Sequence, residues 1–435
     1  MKTTYAPTAR AVALDVLEAV LDAGRPLDDA IGDHPDLARL AVRDRAFARN
    51  LVATCLRRRG QIEALINHCL ERPLQAKGRV ASNLLRLGAG QLLFLATPPH
   101  AAVHETVSLA LARGQSPYKG LINAVLRRLG REGPALVAAQ DAARLNTPDW
   151  LWSAWEKAYG NAACRRIAEA HLGEPRLDLT VRSQAEHWAE RLGGTVLPTG
   201  SVRCRPKGPI DRLEGYDDGA WWVQDAAASL PARLLGPVAG RRVIDLCAAP
   251  GGKTAQLAAA GARVIAVDRS EARLDRLRRN LERLHLSVEM VAASAETWRP
   301  DTPADAVLLD APCSATGTIR RHPDVAWLKT ADDVTGLGEP QSRLLGAAIE
   351  MVRPGGVIVY CVCSLQPEEG ADRVRNFLAS GAPVERSPIR PAEIGGLDEM
   401  VDPAGALQSL PFHLGEDGGV DGFHSVRLTR LGPGT

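Results

Sequence analysis

Three changes of pattern along the chain predict a multidomain protein. An all-helical front precedes a small α+β module, and an α/β domain with a parallel sheet wound on both faces completes the chain. Apolar residues recur at helical spacing up to about residue 131. A short alternating pattern, typical of strands, begins near residue 176. From about residue 235, apolar strands alternate with helices through glycine-rich turns, the mark of a doubly wound sheet. The 435 residues suit two or three domains of roughly 150 residues each.

In the front part, Ala9, Ala13, Val16, Leu17 and Val20 form one helical stripe, and Leu85, Ala89, Leu92, Leu93 and Ala96 another. Val103, Val107 and Ala110 mark a third, and Leu121, Val125 and Leu126 a fourth. Prolines at 26, 35, 73, 98, 99 and 117 fall between stripes, where helices should end. A bundle of about six helices is expected over residues 1–135. Composition shifts between 131 and 150, where REGPALVAAQDAARLNTPDW is turn-rich. The α+β module, residues 146–215, carries RLDLTVR as a strand, SQAEHWAERLGG as a short helix and TVLPTGSVRCRP as weaker strands. The third domain, 216–435, reads as RVIDL strand, CAAPGGKT turn, TAQLAAAG helix, ARVIAVD strand and EARLDRLRRNLERL helix. Strands at SVEMVAA and DAVLLD follow, then a helix around EPQSRLLGAAIEMV, the turn RPGG and the strand VIVYCVC.

The formal net charge of +2 conceals a polarised chain. Residues 37–131 hold 16 basic and 4 acidic residues, whereas residues 151–435 hold 33 and 37. A basic front of this kind supplies salt-dependent affinity for phosphates, so a nucleic-acid partner is expected. Arg57, Arg58, Arg59, Arg127, Arg128 and Arg131 are candidate contacts there, as are Arg320, Arg321 and His322 nearer the sheet. Eight cysteines are too sparse for a disulfide scaffold, and none sits in a zinc-type spacing. The N-terminal segment reads as an amphipathic helix with no apolar signal region, and no 18-residue apolar run occurs. A cytoplasmic protein with free thiols, no metal and no membrane partner is expected, with a monomer as the assembly state.

The turn DLCAAPGGKT lies between a strand and a helix, the default ligand position of a doubly wound sheet. Its ending imitates a phosphate-binding loop, but that motif needs glycine where this chain has Cys247. The dinucleotide pattern of three glycines is absent too. The remaining common use is an adenosyl group that carries no phosphate. Asp268, at the end of the next strand, suits its ribose hydroxyls, the bland alternative being a helix cap.

Asp310, Pro312 and Cys313 follow the strand DAVLLD, and Cys363 ends the strand VIVYCVC. Two cysteines thus reach the edge where such folds do chemistry. Free cysteines are more often buried and inert. A thiolate, however, can add to carbon 6 of a pyrimidine and make carbon 5 nucleophilic toward the methyl group of S-adenosylmethionine. An acid near ring nitrogen 3, a role open to Asp310, would ease that addition. Spacing does not say which cysteine attacks. Cys361, two residues before Cys363, falls on the same strand face one pleat deeper and reads as structural.

These motifs resemble the RNA cytosine-5 methyltransferases. VIDLCAAPGGKT matches their cofactor loop, DAPCSATG with RRHPDVAW the target-base loop, and CSLQPEEG the loop that carries the nucleophile. VQDAAASL and DGFHSVRL fit as well. ARAVALDVLEAV, DRAFARNLV, HAAVHETVSLA and INAVLRRL resemble the NusB-type helical domain fused to the bacterial 16S ribosomal RNA branch of that family. The resemblance implies a Rossmann-like methyltransferase domain, S-adenosylmethionine as cofactor and folded 16S ribosomal RNA as partner. It implies attack by Cys363 and release of the product helped by Cys313. It implies a cofactor site of Cys247, Ala248, Ala249, Pro250, Gly251, Gly252, Lys253 and Asp268, with Asp310 at the shared floor. The chain departs from the family pattern at Cys361-Val362 before the nucleophile, at Ser294 where an acid contacts the adenine, and at His424 where DGFF is usual. Competing expectations are an RNA-binding assembly factor without catalysis, and the same chemistry on DNA or another RNA.

Overall fold

The computed structural model describes residues 7–432 except Lys207, and nothing of the Ala76 side chain. The first six residues of the segment expected as an N-terminal helix lie outside the described residues. Contacts divide the chain into two units, residues 1–173 with 322–330, and residues 174–321 with 331–435.

The first unit is helical, as its stripes predict. It contains α1 (Ala9–Leu21), α2 (Leu27–Gly32), α3 (Val42–Arg57), α4 (Arg59–Cys69), α5 (Arg79–Leu93), α6 (Pro99–Ala112), α7 (Lys119–Ala139), α8 (Ala142–Leu145) and α9 (Asp149–His171). Thr8 starts α1 by accepting a hydrogen bond from the Ala11 N–H, at 3.2 Å. Pro99 opens α6, where its missing N–H costs nothing. Pro134 does not end α7. The helix runs on to Ala139, so part of the segment expected as a linker is helical. Leu14, Leu17, Leu51, Leu84, Leu85, Ile122 and Leu126 are fully buried in the core of this bundle. The short helix Val325–Leu328 belongs to this unit, with Trp327 and Leu328 packed on the same core. The Trp327 indole N–H donates to the Leu56 carbonyl at 2.8 Å, and Asp324 accepts from the Leu27 N–H at 3.0 Å.

The second unit opens with β1 (Leu177–Val181), α10 (Ala185–Arg191), β2 (Thr195–Val196), β3 (Val202–Cys204) and β4 (Trp221–Val223). These strands form an antiparallel sheet in the order β2-β3-β1-β4. Then come α11 (Leu230–Arg233), β5 (Arg242–Leu246), α12 (Gly252–Ala259), β6 (Arg263–Asp268), α13 (Glu271–Arg283), β7 (Glu289–Ala292) and β8 (Ala304–Asp310). After α14 (Val325–Leu328, in the helical unit), the chain returns through α15 (Ala331–Met351), β9 (Val352–Val362), α16 (Ala371–Ala379), β10 (Val384–Arg386), β11 (Leu407–Ser409) and β12 (Phe423–Arg430).

The large sheet has the order β10-β12-β9-β8-β5-β6-β7, with β11 beside β12. Strands β5 to β9 run parallel, as expected from their continuous apolar runs. The three C-terminal strands are antiparallel, so the sheet is mixed. Tyr360 and Val362 pack into one face of the sheet, and Val359, Cys361 and Cys363 into the other. That alternation sets Cys363 on the Cys361 side, as the pleat requires. Parallel strands bring the C-terminal ends of β5, β6, β8 and β9 to one edge, where the motif loops meet.

Candidate active site

The loop after β5 is shaped by its small residues. Cys247 has φ of 60° and Gly251 φ of 102°, both left-handed. A Cβ on Gly251 would lie 2.9 Å from the Leu277 side chain, so only glycine lets the chain turn here into α12. The Ala248 N–H donates to the Val267 carbonyl at 3.1 Å, tying the loop to β6. Asp268 is almost fully buried at the end of β6 and accepts from the Ala249 N–H at 3.2 Å and the Ser270 N–H at 3.0 Å. The cap of α13 is Ser270, not Asp268. Ser294 lies exposed in the turn after β7, at the same sheet edge. Burial pushes the Cys247 thiol up to about 12 and the Asp245 carboxyl up to about 7, the latter against a 2.6 Å hydrogen bond from Thr254. Neither is set up as a nucleophile.

Lys253, in the first turn of α12, reaches Asp310 at the end of β8, with Nζ to Oδ2 of 2.8 Å. Burial opposes its charge, but the Asp310 carboxylate outweighs this and holds the ammonium above the usual lysine range. The Phe423 ring lies 5.1 Å from the same nitrogen, a cation–π distance. The other oxygen of Asp310 accepts from the Cys361 thiol at 3.4 Å. Cys361 is fully buried and its thiol is pushed well up, first by burial and then by the Asp310 charge.

Cys313 and Cys363 come together, with their sulfurs 3.5 Å apart. Both are partly accessible, and all eight cysteines are free. The Cys313 thiol is raised well above its usual value, first by its contact with Cys363, then by burial and the Cys363 charge.

The loops carrying the two thiols are knitted together. The Gly317 N–H donates to the Cys363 carbonyl at 3.0 Å, and the Gly422 N–H to the Gly317 carbonyl at 2.8 Å. Ser314 and Ser364, the residues after the two cysteines, have hydroxyls 3.2 Å apart. Sequence reasoning missed these supporting residues, along with Glu369 and Gln341. The only sequence signal was that CSLQPEEG ends in two carboxylates.

Several expected RNA contacts serve the fold instead. Arg320 is buried and binds Asp225 at 2.9 Å and Asp421 at 3.3 Å. Arg321 binds Asp225 at 2.5 Å and Asp178 at 3.2 Å, while Arg203 grips Asp178 with two bonds of 2.6 Å. Three guanidinium groups and three carboxylates thus neutralise one another away from water. His322 pairs with Asp28 at 3.2 Å, and its hydrogen bond holds the Asp28 carboxyl well below the usual range. In the helical unit, Arg58 donates to the Leu172 carbonyl at 3.1 Å and lies over Phe94, and Arg59 lies over Trp327. Arg57 is half-buried. Arg128 is held by Glu132, whereas Arg127 and Arg131 are exposed. Among the described residues, no metal-binding cluster of His, Cys, Asp or Glu occurs, and no helix is long and apolar enough to cross a membrane.

The fold and this edge define a methyltransferase fused to a NusB-type domain. The family model for 16S rRNA methyltransferase RsmB/F matches residues 232–428, and that for the NusB family residues 7–131. The Ribosomal RNA small subunit methyltransferase B of Cronobacter sakazakii is 36% identical over 97% of this chain and 98% of its own length. The chain belongs to the ribosomal RNA small subunit methyltransferase B family. Among solved structures, that of PH0851 shares the fold over 99% of this chain and 100% of its own, with a TM-score of 0.75 at 20% identity. A methyltransferase homolog protein from Pyrococcus horikoshii is 27% identical and covers 64% of this chain and 94% of its own, with a TM-score of 0.53.

Proposed function

We propose that the protein methylates carbon 5 of one cytosine in 16S ribosomal RNA, with Cys363 as covalent nucleophile and S-adenosylmethionine as methyl donor. The observation that carries this reading is the pair of thiols 3.5 Å apart, Cys313 and Cys363, beside the Cys247–Lys253 loop. The cofactor's residues fit the group. Gly251 turns the chain left-handed into the N-terminus of α12, and Asp268, buried at the end of β6 where it accepts from the Ala249 and Ser270 N–H groups, is the carboxylate for the ribose hydroxyls. When bound, the cofactor supplies an electrophilic methyl group. Cys247 to Lys253, with Asp310, form the floor on which it rests.

Cys363 adds to carbon 6 of the target base, which must leave any stack to reach it. Asp310, ion-paired with Lys253, accepts a hydrogen bond from a protonated ring nitrogen 3 and so favours the addition. Bonding Cys363 to carbon removes the charge that favours the Cys313 proton. Cys313 is then better able to act in removal of the carbon 5 proton, after which Cys363 leaves. Such acid–base assistance contributes about 100-fold or more.

Two variants test the assignment with 16S ribosomal RNA and labelled S-adenosylmethionine. Cys363→Ala should lose methyl transfer, and Cys313→Ala should accumulate a covalent RNA–protein adduct on a denaturing gel. An active Cys363→Ala together with a dead, adduct-free Cys313→Ala would reverse the roles.

A further inference from the structure

Glu369 is fully buried, yet no lysine, arginine or histidine pairs with it among the described residues. Its carboxylate is satisfied by three hydrogen bonds. Oε1 accepts from the Ser314 N–H at 2.8 Å and from Gln341 Nε2 at 3.3 Å, and Oε2 accepts from the Ser314 hydroxyl at 2.5 Å. The Glu369 carbonyl accepts from the Tyr360 hydroxyl at 2.6 Å, which pins its backbone to β9. A buried carboxylate without a cation costs several kilocalories unless such donors surround it, and an apolar residue would fill this space at lower cost. The location gives the reason. Glu369 stands six residues after Cys363 on the same loop, and two of its three bonds go to the residue directly after Cys313. The hydroxyl of Ser314 also meets that of Ser364, the residue after Cys363, and Thr316 meets Ser364 at 3.2 Å. Gln341 ties the same cluster to the Pro312 carbonyl at 2.9 Å. The residues on both sides of Cys313 are thus held by one buried acid and its amide partner.

We propose that Glu369 is a positioning residue that sets the Cys313 thiol against Cys363 by clamping Ser314. The role matters for the release step of the reading above, on which this inference rests. In that step a base takes the carbon 5 proton, that C–H electron pair becomes the C5–C6 double bond, and the C6–S pair returns to Cys363. A displaced Cys313 loop leaves the adduct formed but not resolved. The Cys313 thiol is raised first by its contact with Cys363, then by burial and the Cys363 charge, and Glu369 adds to these.

Glu369→Gln puts an amide NH₂ against a donor of Ser314 and removes the charge. The full-length protein is assayed with a 16S ribosomal RNA transcript and labelled S-adenosylmethionine. Turnover should fall by about 100-fold, the cost of a misplacement of about 1 Å, while the KM for RNA stays unchanged and adduct accumulates. Alkylation of Cys313, followed by mass spectrometry across pH, should show its midpoint moved to lower pH in a variant whose circular-dichroism spectrum matches that of the wild type, since unfolding would lower the midpoint as well. Glu369→Asp, which keeps the charge, should keep the wild-type midpoint. If Cys313→Ala traps adduct and Glu369→Gln turns over normally, the positioning role is overturned and the reading of Cys313 stands. If Cys313→Ala traps nothing, the reading of Cys313 fails, and the alkylation midpoint decides Glu369 alone: lowered supports the role, unchanged overturns it. Should Glu369→Gln lose its circular-dichroism signal, Ser314→Ala takes its place. It removes the hydroxyl contacts to Glu369 and Ser364 but keeps the backbone bond to Glu369, and release at the wild-type rate would overturn the proposal.

Discussion

His424 is a buried ring, at the position where the resemblance noted from the sequence implies phenylalanine. Its flank packs on Gly370, where a Cβ would lie 2.9 Å away, and its Nδ1 meets Gln408 at 3.1 Å. Burial lowers its value from 6.5 to about 4, so it is neutral at pH 7 and serves as an aromatic filler. The buried Nε2 has no hydrogen-bond partner among the described residues. Between pH 6.5 and 4 the unfolded chain binds a proton that the folded ring refuses. Stability from this group is therefore present above 6.5 and lost as pH falls through about 4. His424→Phe should lie within about 1 kcal/mol of wild type at pH 7, since one hydrogen bond is lost and one unpaired atom removed. At pH 5 the variant should be the more stable, by up to about 1.4 kcal/mol per pH unit traversed. Urea titrations at the two pH values check this, and equal differences at both would contradict the burial argument. The placement of Cys313, Cys363, Asp310 and Asp268 at one sheet edge was legible because motif and strand end coincide. The roles of Arg320 and Arg321 were not. Their carboxylate partners lie about a hundred residues away, and no local pattern distinguishes a buried ion network from a basic loop.

Gly317 shows why the target-base loop and the C-terminal strand are inseparable. A Cβ there would stand 1.9 Å from the Gly422 carbonyl oxygen, a backbone atom that cannot turn aside. Gly317→Ala should lower stability by about 1–3 kcal/mol, as overpacking does. It should also depress methyl transfer beyond that loss, because the same loop carries Cys313. A thermal shift with unimpaired turnover would place the strain elsewhere. The parallel strands were legible from their apolar runs, but β10 to β12 were not. Two of them have three residues each, and their antiparallel pairing is set by distant partners on β9 and β12. Pro134 misled in the other direction, since α7 continues through it. A single lost hydrogen bond is tolerated in a helix already held by a buried face.

At the scale of the molecule, charge divides the work. The +12 over residues 37–131 survives the structural corrections, because Arg72, Lys77, Arg79, Lys119, Arg127 and Arg131 remain exposed. Arg58 and Arg59 no longer head the list, since the Leu172 carbonyl and the Phe94 ring take up the first and the Trp327 ring the second. Replacing Arg127 and Arg131 by Ala should weaken RNA binding and reduce the slope of log affinity against log salt by about one to two. The same change at Arg58 and Arg59 should act mainly on stability, and filter binding across salt with a melting curve separates the two. The central claim, that this chain places a methyl group on carbon 5 of a 16S cytosine, is tested most directly by bisulfite sequencing of 16S ribosomal RNA. Cells with the gene, without it, and with Cys363→Ala are compared. One cytosine protected from conversion only in cells with the wild-type gene is the predicted result. An identical conversion map in all three would contradict the account.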